Sequence, residues 1–293
     1  MKSSWSVSTA TPYGSVFEPR ETFRLTEVNC TNGKDGSVKK PHISPSQIEL
    51  FSRCQEAWRR RYIEGHKCPP GIAAVTGSGV HGGASVNFKQ KLDSHHDLPE
   101  SDIVDAAVET FKSRIAEDDV ALTPEEQSTG RTKVLAEATD RTAKLAGFHA
   151  RKQAPDYQPQ LVEEPVVLQV PEATHDILGR IDLLDDQHRI ADFKTTARSK
   201  QQTDADTSIQ LTVYSALVRV DTGKPPSAIR LDSIVSGKRD TKRQVLHTTR
   251  GPDDYRALAA RVNTMLKVIQ SGVFAPTTPN AWWCSRRFCG YSA

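Results

Sequence analysis

Apolar residues recur along the chain at two spacings, and the change between them divides it. From about residue 44 to 151 the pattern is helical, with one apolar face per segment; His81, Ala84, Ser85 and Phe88, for example, share one side of a helix. Ser44 is a suitable N-cap for a helix over about 44–62, and a second helix is predicted at about 76–92. Residues 98–151 read as helical in two segments. One opens at Leu98-Pro99-Glu100-Ser101 and the other at Thr123-Pro124-Glu125-Glu126, a cap with Pro at the first helical position. Past Pro155 and Pro159 the period drops to two, predicting strands at about 160–170, 177–185 and 189–196. A helix at about 205–220 then precedes two more strands, Ile229–Val235 and Gln244–Thr248, and Pro252-Asp253-Asp254 opens a last helix to about Ser271. This order implies an α/β class: a mixed central sheet flanked by helices, with 98–155 as a helical insertion. Residues 1–42, rich in Ser, Thr, Gly, Pro and Lys with little periodicity, read as a flexible arm before one domain over 43–293.

The hairpin at 177–196 carries the chemistry. With Asp186-Gln187-His188 as its loop, Asp185 pairs with Arg189, and Asp182 faces Asp192 across the ladder. Lys194 then lies two residues further along on the same face, while Ile181, Leu183, Ala191 and Phe193 point the other way, into a core. Two carboxylates facing each other at roughly 5 Å repel. A divalent cation would resolve that conflict; a surface hairpin with scattered charges is the plain alternative. On the repulsion alone, Asp182→Asn is expected to stabilise the metal-free protein.

Gly-Arg-Ile-Asp at 179–182 followed by Asp-Phe-Lys-Thr at 192–195 resembles the core of the PD-(D/E)xK nucleases, in particular the RecB-like branch. Three further segments are similar, in the family's order. Ser44 to Cys54 resembles the opening helix, Gly77-Ser78-Gly79-Val80-His81 the Gly-x-x-x-His segment, and Gln210-Leu211-Thr212-Val213-Tyr214 the Gln-x-x-x-Tyr helix. Each alone is weak: a lone His on such a helix is ordinarily a hydrogen-bonded core residue, and Gln210 and Tyr214 share a face of any helix. Together they span residues 44–214. The resemblance implies a restriction-endonuclease-like core with a helical cap. It also implies a metal-dependent DNA nuclease, most simply an exonuclease, acting in recombination, repair or phage DNA processing on single strands or duplex ends. A helicase, recombinase or annealing protein would be its partner.

In that reading Asp182 and Asp192 are hard oxygen ligands for magnesium or manganese, and His81 supplies a nitrogen ligand or orients one. Lys194 positions the attacking water or stabilises charge on the phosphate. Gln210 and Tyr214 reach the DNA backbone or bound waters. Glu163 and Glu164, on the preceding strand, are weaker candidates. A fold that keeps its shape without turnover, serving as a nucleic-acid-binding or assembly module, is the alternative, and an unrelated metal-dependent hydrolase a third. The sequence has no Gly-x-x-x-x-Gly-Lys-[Ser/Thr] loop, so ATP-driven unwinding would have to come from a partner.

Composition adds little. With 39 Lys and Arg against 36 Asp and Glu, the net charge of +3 is too small to argue for nucleic acid by itself. Local clusters are more suggestive: Arg59, Arg60 and Arg61 between Trp58 and Tyr62, and Arg286-Arg287-Phe288 after Trp282-Trp283, could hold phosphates and stack bases. No apolar run nears membrane-spanning length and no signal-like start is present, which predicts a cytoplasmic protein with no membrane partner. Five cysteines without repeated spacing argue against a disulfide scaffold. Some RecB-like nucleases hold a 4Fe–4S cluster with one upstream cysteine and three near the C-terminus. Cys54 matches the first and Cys284 and Cys289 two of the others; Cys68 or Cys30 completes the set only if the fold brings it near. A zinc staple, or simple packing of thiols, is the alternative.

Overall fold

The computed structural model describes residues 25–27, 41–237, 240–285 and 289–291. Most of the sequence-predicted arm, along with Cys30 and Arg286-Arg287-Phe288, lies outside them. Helix α1 (Pro45–Arg53) starts where expected, with the Ser44 hydroxyl accepting the Gln47 N–H. It does not run on to residue 62. Cys54 takes an extended conformation and its sulfur caps a separate helix, α2 (Gln55–Tyr62). Helix α3 (Ile72–Ser94) follows, and then the insertion: α4 (Glu100–Asp118), α5 (Pro124–Thr129) and α6 (Arg131–Lys152). Thr123 and Glu126 close α5 with a reciprocal capping box.

The insertion packs on α3 through glycine. A Cβ on Gly83 would sit 2.5 Å from the Ile103 carbonyl oxygen, and one on Gly79 2.9 Å from that of Ala107. Side chains at these positions would hold α3 and α4 apart, so the run Thr-Gly-Ser-Gly-Val-His-Gly-Gly at 76–83 is what lets the helix backbones meet.

Each of the first two predicted strands is broken in two. The chain forms β3 (Pro159–Val162) and β4 (Pro165–Leu168), then β5 (Asp176–Arg180), β6 (Leu183–Asp185) and β7 (Arg189–Thr196). Helices α7 (Gln202–Asp206) and α8 (Ile209–Thr222), strands β8 (Ala228–Ser236) and β9 (Thr241–Thr248) and helix α9 (Pro252–Ser271) complete the order. Two short strands come earlier, β1 (Leu25–Glu27) and β2 (His42–Ile43). One sheet runs β3-β6-β7-β8-β9, with β7 and β8 parallel and the other pairs antiparallel; the second runs β1-β4-β5-β2. This is the mixed α/β architecture expected, with helices against its sheets, but in two sheets rather than one.

The breaks lie side by side. Glu163 adopts a left-handed conformation (φ 50°), which ends β3, and its N–H bonds to the carbonyl of Ile181 at 2.9 Å. Both ribbons therefore leave the larger sheet at one corner and join the smaller sheet beyond it. The corner corrects one sequence expectation. Leu183, Ala191 and Phe193 do share a core with Phe88 and Tyr157, but Ile181 packs in the larger core under α8 and α9 with Leu184 and Ile190. The strand break turns it to the other side.

Candidate active site

The hairpin register is the one predicted. Leu183 pairs with Ala191 and Leu184 with Ile190, and the same offset would set Asp182 against Asp192. Asp182 itself lies in the break, outside the ladder, so the outer half of β7 has no strand on that side. The carboxylate takes the place of a strand: Asp182 Oδ2 accepts the Phe193 N–H at 3.1 Å. Asp182 and Asp192 are both buried.

Helix α3 approaches this corner with His81. Its Nε2 lies 2.9 Å from Asp182 Oδ2 and its Nδ1 3.1 Å from Glu163 Oε1. The Ser85 hydroxyl donates to Glu163 Oε2 at 2.7 Å, and Lys89 Nζ lies 3.7 Å from the same oxygen. Helix α8 supplies Gln210 and Tyr214. Lys194 Nζ donates to Asp192 Oδ1 at 2.8 Å and to Gln210 Oε1 at 3.2 Å, and Gln210 donates its amide to the Tyr214 hydroxyl at 2.6 Å. The Tyr214 hydroxyl lies close enough to Asp182 to feel its charge. The six residues thus form two hydrogen-bonded groups, His81 with Asp182 and Asp192-Lys194-Gln210-Tyr214, that meet at one corner.

Their electrostatics differ sharply. Burial, together with the charge of Asp182, pushes the Asp192 carboxyl up to about 7, although Lys194 opposes the shift. Burial would raise Asp182 too, but hydrogen bonding and charge from His81, with Lys194 behind, bring it below its ordinary value. Burial alone would lower His81; Asp182 and Glu163 outweigh it and raise the imidazole to about 10. Burial and the Asp182 charge keep Tyr214 protonated and hence a donor. Lys194 is likewise held in its charged form, burial being overcome by the two aspartates. The repulsion expected between the aspartates therefore falls on Asp192, not on Asp182.

A family model of the PD-(D/E)XK nuclease superfamily matches residues 42–293. The chain belongs to this superfamily. Among curated protein sequences none matches. Among solved structures, the PD-(D/E)XK chain superposes on a candidate exonuclease from Eubacterium rectale with a TM-score of 0.52 at 13% identity, over 85% of this chain and 88% of that one. This likeness is one of fold. SSO0001 superposes with a TM-score of only 0.32 at 15% identity, over 71% of this chain and 92% of that one.

The donor set suits a hard divalent cation: two buried carboxylates beside one imidazole, with Asp192 lacking enough positive charge to ionise readily. Among the described residues, however, no three His, Cys, Asp or Glu side chains are arranged to hold a metal. His81 and Lys194 engage the aspartate oxygens instead. Two residues not singled out as site candidates in the sequence also lie near the site. Glu49 on α1 is exposed; partial desolvation of its carboxyl raises its pKa, and the nearby charges of Lys194 and Arg53 oppose the rise. Ser85 shares a helix face with His81, a signal legible in the helical spacing, whereas Glu49 is brought in by the packing of α1 on α8, which no local pattern announces. Glu164 is exposed and stands apart.

Cys54, Cys68, Cys284 and Cys289 all line one cavity of about 1100 Å³ between α1, α2 and the 277–291 segment. Among the described residues they share its wall without forming a group of three or more metal-holding side chains. The same cavity is lined by Glu49 and Arg53, and by Arg61, whose guanidinium lies 5.7 Å from the Tyr62 ring centre. Arg59 and Arg60 both turn back onto Glu56, and Arg59 also onto Glu64. Among the described residues no helix is long and apolar enough to cross a membrane.

Proposed function

We propose that this PD-(D/E)XK protein is a divalent-cation-dependent deoxyribonuclease of the RecB-like branch, working as an exonuclease on single strands or duplex ends in recombination, repair or phage DNA processing. One observation carries the reading: Asp182, Asp192 and Lys194 meet at a sheet corner where α3 and α8 deliver His81, Gln210 and Tyr214.

Asp182 and Asp192, with His81 beside them, would hold magnesium or manganese. When bound, the ion lowers the pKa of a coordinated water and neutralises charge on the phosphate. Lys194, kept cationic, is placed to orient the attacking water or to face the charge developing on a phosphate oxygen. Gln210 fixes the Lys194 ammonium and the Tyr214 hydroxyl at once, so the cation is aimed before substrate arrives. Tyr214 stays protonated and can donate to Asp182 or to a phosphate oxygen.

The test is cleavage of end-labelled linear and covalently closed DNA, single- and double-stranded, with manganese and beside Asp192→Ala. Metal-dependent loss of linear substrates alone, absent in the variant, is the expected result. Cutting of closed circles would make the enzyme an endonuclease. Cleavage in excess EDTA, or by Asp192→Ala at the wild-type rate, would overturn the mechanism, and binding without cleavage under every condition would favour a silent module.

A further inference from the structure

We propose that Ser85 is a positioning residue that fixes His81 through Glu163; the inference rests on the nuclease reading above. The Ser85 hydroxyl donates to Glu163 Oε2 at 2.7 Å, and the other carboxylate oxygen, Oε1, lies 3.1 Å from His81 Nδ1. His81 and Ser85 are one turn apart on α3, so a single helix face holds both oxygens of one carboxylate. A carboxylate gripped at one oxygen alone still swings about its terminal bond. Gripped at both, it presents Oε1 to the imidazole in one orientation.

The backbone supports the same arrangement. Glu163 sits in a left-handed conformation, costly for a residue with a side chain, and its N–H is anchored on Ile181, the neighbour of Asp182. No local sequence signal demands that turn; neither Gly nor Asn stands there. The conformation delivers the Glu163 side chain to α3. With Nδ1 committed to Glu163, Nε2 is left facing Asp182 at 2.9 Å. A carboxylate behind a ligating imidazole is a recurrent means of fixing which nitrogen faces the metal. Here the carboxylate is itself held, and Ser85 is the holder. Lys89 approaches Oε2 as well, but from 3.7 Å and with an exposed side chain, which makes it a weak clamp.

The experiment compares wild type with Ser85→Ala, Ser85→Thr and Lys89→Ala by titrating manganese calorimetrically. The metal-free proteins are also observed by nitrogen-15 NMR of labelled histidine. Ser85→Ala should bind manganese about tenfold more weakly and lose the slowly exchanging His81 Nδ1 proton. Its melting temperature should stay within a few degrees of wild type. Ser85→Thr, which keeps the hydroxyl, should restore both signals, and Lys89→Ala should leave both unchanged. Wild-type manganese affinity and an unchanged His81 proton in Ser85→Ala would overturn the proposal, as would loss of both signals in Lys89→Ala alone. A wild-type protein that binds no manganese defeats the metal-dependent reading instead; the NMR comparison then still decides whether Ser85 fixes His81.

Discussion

Asp182 and Asp192 are identical side chains at one corner, yet their surroundings give them opposite protonation behaviour. Asp182 has His81 and the Phe193 N–H to satisfy it; Asp192 has Lys194 and little else against deep burial. Replacing Asp182 should therefore destabilise the metal-free fold, contrary to what like-charge repulsion alone predicts. Asp192→Asn should stabilise it. The sign follows from the carboxyl's folded value of about 7 against 3.8 for an ordinary aspartate. Below about pH 4 the group is protonated in both folded and unfolded chains and costs nothing; between about 4 and 7 the unfolded chain ionises first, so the native state loses ground. Melting curves in EDTA should show the gap between Asp192→Asn and wild type widening by a few degrees across that range. A gap that is constant with pH would show that Asp192 is not held protonated. The variant should at the same time lose cleavage, as should Lys194→Ala, with its far-ultraviolet circular dichroism unchanged. The identities of these residues were legible in the sequence, because the two-residue period and the Asp-x-Lys spacing place them on one face. The partition of charge was not, since it depends on His81, which arrives from a helix about a hundred residues earlier.

At the level of elements, the hairpin pairing followed from its alternation and short polar loop, and the structure keeps that register. What the pattern concealed was the corner. Alternation runs unbroken through Ile181 and Asp182 and gives no hint that β5 and β6 belong to different sheets. The cause is tertiary: Glu163 turns into the left-handed region beside them, and both ribbons bend together. The split of the first predicted helix at Cys54 was hidden for a similar reason, because an extended residue inside a helical pattern costs no apolar contact. Helix α3 has its own demand. Gly83 meets the backbone of α4, so Gly83→Ala should cost about 1–3 kcal/mol by overpacking, read as a lower urea midpoint. Gly82→Ala should be costly too, because the Thr110 Cβ would lie 2.7 Å away and cannot rotate out of reach.

Across the whole molecule, a second buried polar network ties the insertion to the sheet one strand over from the aspartates, Asp232 pairing in register with Phe193. Asp232 on β8 accepts from Gln153 and Tyr157 at 2.7 Å each and from Arg243 at 2.6 Å. Next to it His149 on α6 is fully enclosed against Phe88 and Phe193, bonded through Nδ1 to Gln153, with its Nε2 unpartnered. Burial lowers its pKa to about 4 from 6.5. A base so depressed stays neutral in the fold while the unfolded chain takes up a proton, so stability is complete above pH 6.5 and declines as pH falls toward 4. The loss at the lower end is about 3 kcal/mol. Urea titrations at about pH 7.5 and 5 should therefore show His149→Leu gaining on wild type at the lower pH; parallel behaviour of the two proteins would sink the argument. Asp232→Ala, which takes the acceptor from Tyr157 and Gln153 and leaves Arg243 only Asp156 and the Lys152 carbonyl, should cost about 1–3 kcal/mol at neutral pH. The fold class and the succession of helices and strands were readable from periodicity. This network was not, since its members lie on α6, the connection after it, β8 and β9 and become neighbours only in the assembled fold.

The glycine contacts of α3 also have a mechanical consequence. With α4 backbone carbonyls and the short stems of Ala107, Thr110 and Phe111 packed against its glycines, α3 has little room to shift toward α4, while the opposite side of α3 carries His81 and Ser85. In the proposed nuclease the helix would act as a lever between the insertion and the aspartate corner. A nucleic acid pressing on α4 would not be cushioned by rotamer changes; the displacement would pass along α3 and alter the separation of His81 from Asp182. Occupancy of the insertion's surface and the geometry of the metal ligands would then be a single coordinate, set by a stripe of residues that have no side chains at all.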